Sequence, residues 1–189
     1  MKVLIVVDMQ NDFIDGNLGS EDAKVIVPNV ISKIENCDKD TIILATKDTH
    51  TERYLETQEG KYLPVPHCIK DTDGWEINKD IDKAIKNHYE KSPLLASHIV
   101  SPVVLKNTFG SFDLIGKLLK FESRIDSIEI IGLCSEICVI SNALLLKARY
   151  QEIPMIVDAS CCAGVTKEKH KNAMDVMASR QVIIENMEV

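Results

Sequence analysis

Residues 131–150, IGLCSEICVISNALLLKARY, run from an apolar stretch through Gly132 to Cys138, at the opening of a second apolar, helix-like stretch. A helix N-terminus presents unpaired N–H groups and a partial positive charge. A thiol placed there titrates toward thiolate, its nucleophilic form, and the same N–H groups can hold the oxyanion of a tetrahedral intermediate. The plain alternative is a small core residue at a tight turn, because buried cysteine is common. Two further segments supply partners: VDMQNDF delivers Asp8 and LKNTFGS delivers Lys106. If the three meet, Lys106 favours both the thiolate and an ionised Asp8. Asp8 can then take the thiol proton, give it to a leaving amine and later activate water. Taken singly, Asp8 reads as a turn residue and Lys106 as a solvated charge.

A second constellation lies in the segment DTHTERYLETQEGKYLPVPHC. Asp48 and His50 are two apart, so an extended backbone points both to one side. Glu59 and His67 can return from the loop to complete two imidazoles and two carboxylates. Such a nitrogen and oxygen set suits a divalent ion, zinc first, with manganese or iron as alternatives. His88, His98 and His170 fall in polar surroundings and are expected at the surface.

These residues must be positioned by the elements around them. Strand-like apolar runs fall at residues 3–7, 41–46, about 101–106, 127–132, 153–158 and 181–185. They are continuous rather than alternating, which suits a parallel sheet covered on both faces. Between them, residues 28–36 put Val30, Ile31 and Ile34 on one helical face. Asn78 can cap a helix carrying Ile81, Ala84 and Ile85, and Ser111 one carrying Leu114, Ile115, Leu118 and Leu119. Residues 139–149 form a strongly apolar helix, and 167–179 an amphipathic one with Ala173, Val176 and Met177 inward. The expected fold is α/β, a doubly wound, six-stranded, mostly parallel sheet with helices on both faces, as one domain over residues 1–189. In such sheets ligands bind beyond the carboxyl ends of the strands, where Asp8, Asp48, His50, Lys106 and Cys138 all fall. Residues 48–76 lack a strong period, and long segments of that kind are usually functional.

The chain of 189 residues is 45% hydrophobic and 27% charged, ordinary for a soluble protein, and its net charge of −7 disfavours a nucleic-acid surface. Its apolar runs are too short to span a bilayer. Asp8 interrupts the first run with no small-residue cleavage site after it, so a cytoplasmic protein without an export signal is expected. Six cysteines without metal-finger spacing then read as free thiols. Cys161 and Cys162 are expected to pack a turn after the fifth strand.

VDMQNDF, KDTH, LKNTFGS and SEICV occur in the order found in the isochorismatase-like cysteine hydrolases. The chain resembles that superfamily along essentially its whole length, and its nicotinamidases most of all. The resemblance implies a triad of Asp8, Lys106 and Cys138 attacking a carboxamide through a thioester. It implies an oxyanion hole of the Cys134 and Cys138 N–H groups, with a cis peptide at Leu133–Cys134. It also implies a metal on Asp48, His50, Glu59 and His67, with Glu56 a rival for the third position, that holds a pyridine nitrogen. Phe13, Trp75 and Phe109 are then the candidates to stack on the ring. The implied reaction is nicotinamide to nicotinate and ammonia, for NAD salvage, in a homo-oligomer acting on a small molecule. Two departures stand out: Ser135 and Glu136 replace the commoner Thr-Asp, and Cys134 stands where Ala is usual. The rival readings are another cysteine amidase acting on a ureido, carbamoyl or different aromatic amide, and a non-catalytic binding protein that has kept the fold. Cys138 argues against vinyl-ether cleavage, because true isochorismatases lack that cysteine.

Overall fold

The computed structural model describes residues 1–187. Six strands form one sheet in the order β3-β2-β1-β4-β5-β6, and every neighbouring pair is parallel. They are β1 (Lys2–Val7), β2 (Ile42–Asp48), β3 (Val103–Lys106), β4 (Ser127–Leu133), β5 (Met155–Ala163) and β6 (Val182–Glu185). The helices are α1 (Asn11–Ile14), α2 (Glu21–Glu35), α3 (Gln58–Tyr62), α4 (Lys79–Glu90), α5 (Pro93–Ala96), α6 (Phe112–Leu118), α7 (Ile140–Arg149) and α8 (Lys167–Ala178). Every residue of β2 and all but the first of β1 are buried, which is why these strands read as unbroken apolar runs. The chain runs one way through α2 and α4, which pack on each other, and back through α6, α7 and α8, which pack as a second set. The right-handed rule for parallel crossovers puts the two sets on opposite faces. The direction reverses between β1 and β4, and this switch point is where a ligand crevice opens in a doubly wound sheet.

Gly132 is what lets these two strands approach. It pairs in register with Val7, its φ is +118°, and an added Cβ would collide with the Val7 carbonyl oxygen.

Several boundaries differ from the sequence expectation. The helix expected over residues 28–36 is the second half of α2, which begins where the Ser20 hydroxyl accepts from the Ala23 N–H at 3.1 Å. β5 continues to Ala163, so Cys161 and Cys162 lie inside a strand rather than in a turn. The cause is a register shift between Ile130 and Gly132, after which Gly132 pairs with Cys162 and Leu133 with Ala163. Ser111 makes no side-chain cap; its N–H donates instead to Asn142 Oδ1 at 2.9 Å. Asn78 does cap α4, accepting from Asp80 and Ile81. Leu119 and Val176 point outward, and Met174 takes the inward place on α8. His98 is exposed as expected, but His88 is buried because its Nε2 pairs with the Thr41 carbonyl at 2.8 Å. His170 is half-buried against Ser135. All six cysteines are free thiols. No helix of the described residues is long and apolar enough to cross a membrane.

Candidate active site

The ends of β1, β2 and β3 bring three charged groups to one buried point. Asp8 sits one residue past β1 with φ 47°, a left-handed conformation that aspartate tolerates better than most residues. Its Oδ2 lies 2.7 Å from Lys106 Nζ, and its Oδ1 accepts from the Thr46 hydroxyl at 2.6 Å. The Asp8 N–H in turn donates to Thr46 Oγ1 at 3.2 Å, so one β2 side chain fixes both the backbone and the carboxylate. Lys106 Nζ stands 3.5 Å from Cys138 Sγ and 3.3 Å from Asp48 Oδ1. Asp8, Lys106 and Cys138 are each at most 5% exposed, so their charges interact with little screening by water. The three residues expected to meet do meet.

Burial and the neighbouring charges act on all three groups. Burial by itself would lower the Lys106 ammonium, but the charges of Asp8, Cys138 and Asp48 raise it and keep it a cation. Burial pushes the Cys138 thiol well up, the Asp8 charge pushes it further, and Lys106 only partly opposes them. Both influences favour the protonated sulfur, so its attack calls for a base that takes the proton. Asp8 is placed for that, and burial together with the Asp48 charge raises its own carboxyl above the usual range despite Lys106.

The turn carrying Cys138 also differs in detail. The Leu133–Cys134 peptide is cis, as the resemblance implied. A π-helical turn, Ser135–Val139, precedes α7, and Cys138 lies one turn into this run rather than at its opening. The N–H groups of Ile137 and Val139 both close on the Cys134 carbonyl, at 3.0 and 3.1 Å. Asn142 holds the turn from α7. Its Nδ2 donates to the Cys138 carbonyl at 2.8 Å and to the Phe109 carbonyl at 3.2 Å, while its Oδ1 accepts from Ser111.

Beside this group, Asp48, His50, Glu59 and His67 offer four ligand atoms that all lie within 4.8 Å of one another. His50 Nε2 is 2.9 Å from Asp48 Oδ2 and 3.6 Å from Glu59 Oε1. His67 Nε2 is 3.6 Å from Asp48 and 3.7 Å from Glu59. The His67 ring is turned by an Nδ1 bond to the Val65 carbonyl at 2.8 Å, which leaves Nε2 for the shared centre. Glu56 is not a rival to Glu59: it pairs outward with exposed Arg53. Burial alone would raise Asp48, but hydrogen bonds from His50 and His67 and the Lys106 charge hold it well below the usual carboxylate range. Burial and the Asp48 charge raise Glu59. Two imidazole nitrogens and two carboxylates converging at this spacing fit a zinc-type divalent ion.

Residues 48–76 are ordered from the start of α1, just past β1. Gln10 Nε2 donates to the carbonyls of Asp48 and Trp75, both at 2.9 Å, and its Oε1 accepts from the Asp48 N–H at 2.7 Å. Asp12 Oδ2 accepts from the Cys68 N–H at 2.7 Å, next to His67. Gln10 and Asp12 lie inside VDMQNDF, yet the sequence reading passed over them, as it did Thr46 and Asn142.

The expected aromatic residues fare differently. Phe13 is 9% exposed, with its ring 5.4 Å from the His67 ring. Phe109 is about half exposed (48%). One face of Trp75 is covered by Lys47 Nζ, 3.1 Å from the ring centroid, and its indole N–H donates to Thr49 Oγ1. Trp75 therefore cannot stack on both faces, because a β2 cation already occupies one.

The comparisons agree with this architecture. The chain is similar to the nicotinamidase of Saccharomyces cerevisiae, 28% identical over 176 residues that cover 76% of this chain and 80% of that one. It is 27% identical to the uncharacterized isochorismatase family protein PncA of Bacillus subtilis, over 94% of each chain. Among solved structures, the pyrazinamidase/nicotinamidase of Streptococcus mutans superposes with a TM-score of 0.76 at 26% identity, over 97% of this chain and 99% of that one. The zinc complex of Pyrococcus horikoshii pyrazinamidase superposes at 0.74 with 24% identity, over 98% and 99%. The model of the isochorismatase domain matches residues 2–188, nearly end to end, so the chain belongs to the isochorismatase family.

Proposed function

We propose that the protein is a metal-dependent cysteine amidase that hydrolyses nicotinamide to nicotinate and ammonia. The observation that carries the reading is Lys106, a buried cation in contact with Asp8, Cys138 and Asp48, which joins a nucleophilic group to a metal-type cluster. The relatives named nicotinamidase and the zinc complex of the archaeal pyrazinamidase support it.

In this reading Asp8 accepts the Cys138 proton as Sγ attacks the amide carbon, and the carbonyl π pair moves to oxygen. The Cys134 and Cys138 N–H groups face that oxygen. Asp8 then gives its proton to the departing nitrogen, and ammonia leaves a thioester. With its carboxylate free again, Asp8 takes a proton from water as the hydroxide adds to the thioester. Collapse breaks the C–S bond, Asp8 returns that proton to the Cys138 sulfur, and the acid leaves as nicotinate with its own proton passing to solvent. Lys106 stays charged throughout and holds Asp8 in place. Asp48, His50, Glu59 and His67 would hold the ion, which supplies a Lewis-acid anchor for the ring nitrogen. Phe13 borders that anchor beside His67.

The test is ammonia release from nicotinamide before and after chelation, with Cys138→Ala as the control. Turnover lost to chelator and to the substitution, and restored by zinc, is expected. A folded, zinc-loaded protein that releases no ammonia from nicotinamide would overturn the substrate assignment, and hydrolysis of a ureide or another aromatic amide in its place would reassign it.

A further inference from the structure

The Ser135 side chain is fully buried in the turn between Cys134 and Cys138, and its hydroxyl lies 2.7 Å from His170 Nδ1 on α8. The His170 backbone is held in the first turn of α8. Thr166 caps α8 by accepting from the Lys169 N–H, and the His170 N–H donates to the Thr166 carbonyl at 2.9 Å. A second tether runs the same way. Glu136 Oε1 accepts from the Val165 N–H at 3.0 Å, on the loop leading into α8. The turn that presents Cys134 and Cys138 is thus pinned from outside the reacting groups, by an element that contributes no member of the site.

We infer that His170 is a positioning residue that acts through the Ser135 hydroxyl to hold the Cys134 and Cys138 N–H groups on the oxyanion. The inference rests on the amidase reading above. Oxyanion donors work only within hydrogen-bond distance of the developing charge, so a small displacement of this turn costs rate while leaving ring binding alone. It also gives Ser135 a purpose: its hydroxyl is the α8 attachment point of the turn.

The experiment compares wild type with His170→Ala, His170→Asn, Ser135→Ala and the His170→Ala/Ser135→Ala double variant, all zinc-loaded. Three quantities are read: kcat and KM for nicotinamide, the affinity for nicotinaldehyde, and the affinity for nicotinate. As Cys138 Sγ adds to the aldehyde carbon, its proton passes to Asp8 and the π pair moves to oxygen, so this adduct reports the donors directly. Nicotinate reports only the ring site. His170→Ala should lower kcat about tenfold with KM within about twofold, and weaken aldehyde binding by the same factor. Nicotinate affinity should stay unchanged. His170→Asn, whose amide can reach the Ser135 hydroxyl, should recover most of the loss. The double variant should be no worse than either single one.

Unchanged kcat and aldehyde affinity in His170→Ala would overturn the inference. So would equal weakening of aldehyde and nicotinate, which marks general loosening, and so would losses that multiply in the double variant. Wild-type protein with neither turnover nor adduct would overturn the amidase reading and this inference with it.

Discussion

Asp12 offers the sharpest test of how the metal-type cluster is held. Its carboxylate is 8% exposed, and its Oδ2 takes the Cys68 N–H at 2.7 Å while Oδ1 takes the Asn17 N–H at 3.3 Å. Cys68 is fully buried with φ 46°, and it immediately follows His67. In Asp12→Ala that buried N–H loses its only partner among the described residues, at a cost of roughly 1–3 kcal/mol. Where the loop relaxes in the metal-free protein, this cost falls on metal binding. Zinc affinity then drops on the order of 10–100-fold, the usual consequence of removing a group that orients a ligand. Where the loop stays in place, the same cost falls on folding. Competition titration with a chromogenic chelator and urea denaturation of the metal-free protein together capture both routes. Asp12→Asn keeps an acceptor but loses the charge assistance, so its effect should be about half as large in free energy. A second perturbation reaches the same atoms from the other side: a Cβ at Gly74 would collide with the Asp12 carboxylate, so Gly74→Ala should weaken zinc binding in the same direction. Asp12→Ala with zinc affinity within about twofold of wild type and metal-free stability within about 0.5 kcal/mol would refute the argument.

Two further outcomes follow from other contacts. Thr46→Val removes both bonds to Asp8 and leaves the carboxylate without its β2 support, so kcat for nicotinamide should fall about tenfold with the zinc content unchanged; metal analysis and steady-state kinetics check this. Lys33 bridges Glu129 and Asp158 at 2.7 and 2.6 Å beneath α2, where the Asp158 side chain is 2% exposed. Lys33→Met should therefore cost about 3 kcal/mol at neutral pH by stranding that charge. Burial alone would raise Asp158, but bonds from Lys33, Ser160 and Asn186 hold it below its ordinary value. A depressed carboxylate stabilises above its unfolded pKa and loses that contribution as pH falls through the folded one. The gap between wild type and Lys33→Met in urea midpoint should thus be full at neutral pH and shrink below the carboxylate range; a gap that widens in acid would contradict the assignment.

The sheet was legible because its strands are buried on both faces, so burial wrote itself into the sequence as uninterrupted apolar runs. Asp8, Asp48 and Lys106 were legible for a related reason: each is a charge directly at the end of such a run, and a parallel sheet brings those ends to one edge. What failed were boundaries set by partners far away in the chain. α2 extends back to Ser20 through a cap that the run at residues 28–36 does not announce. β5 outlasts its expected end because β4 shifts register across from it, a property of the pair and not of either segment. His88 looked like a surface residue on a polar helix, and only the Thr41 carbonyl on the neighbouring chain segment explains its burial.

The same distinction separates the reacting groups from those that aim them. A thiol, a lysine and two histidines carry reactive or metal-ligating groups, and their place at strand ends makes them candidates. Thr46, Gln10, Asp12 and Asn142 are common polar residues, and their significance lies in what they span. Gln10 ties the end of β1 to Asp48 and Trp75, Asp12 reaches across 56 residues to Cys68, and Asn142 links the Cys138 turn to the loop after β3. Residues 48–76 show no period because their order is borrowed through these bonds rather than generated locally. The thiol chemistry follows the same logic. The helix position of Cys138 draws its sulfur toward thiolate, whereas burial and the neighbouring Asp8 charge push the thiol pKa up, and Asp8 remains the base expected to take its proton. Substitutions at the spanning residues should accordingly alter rate or metal affinity while the sheet persists, since each bond crosses between elements that the core already holds in place.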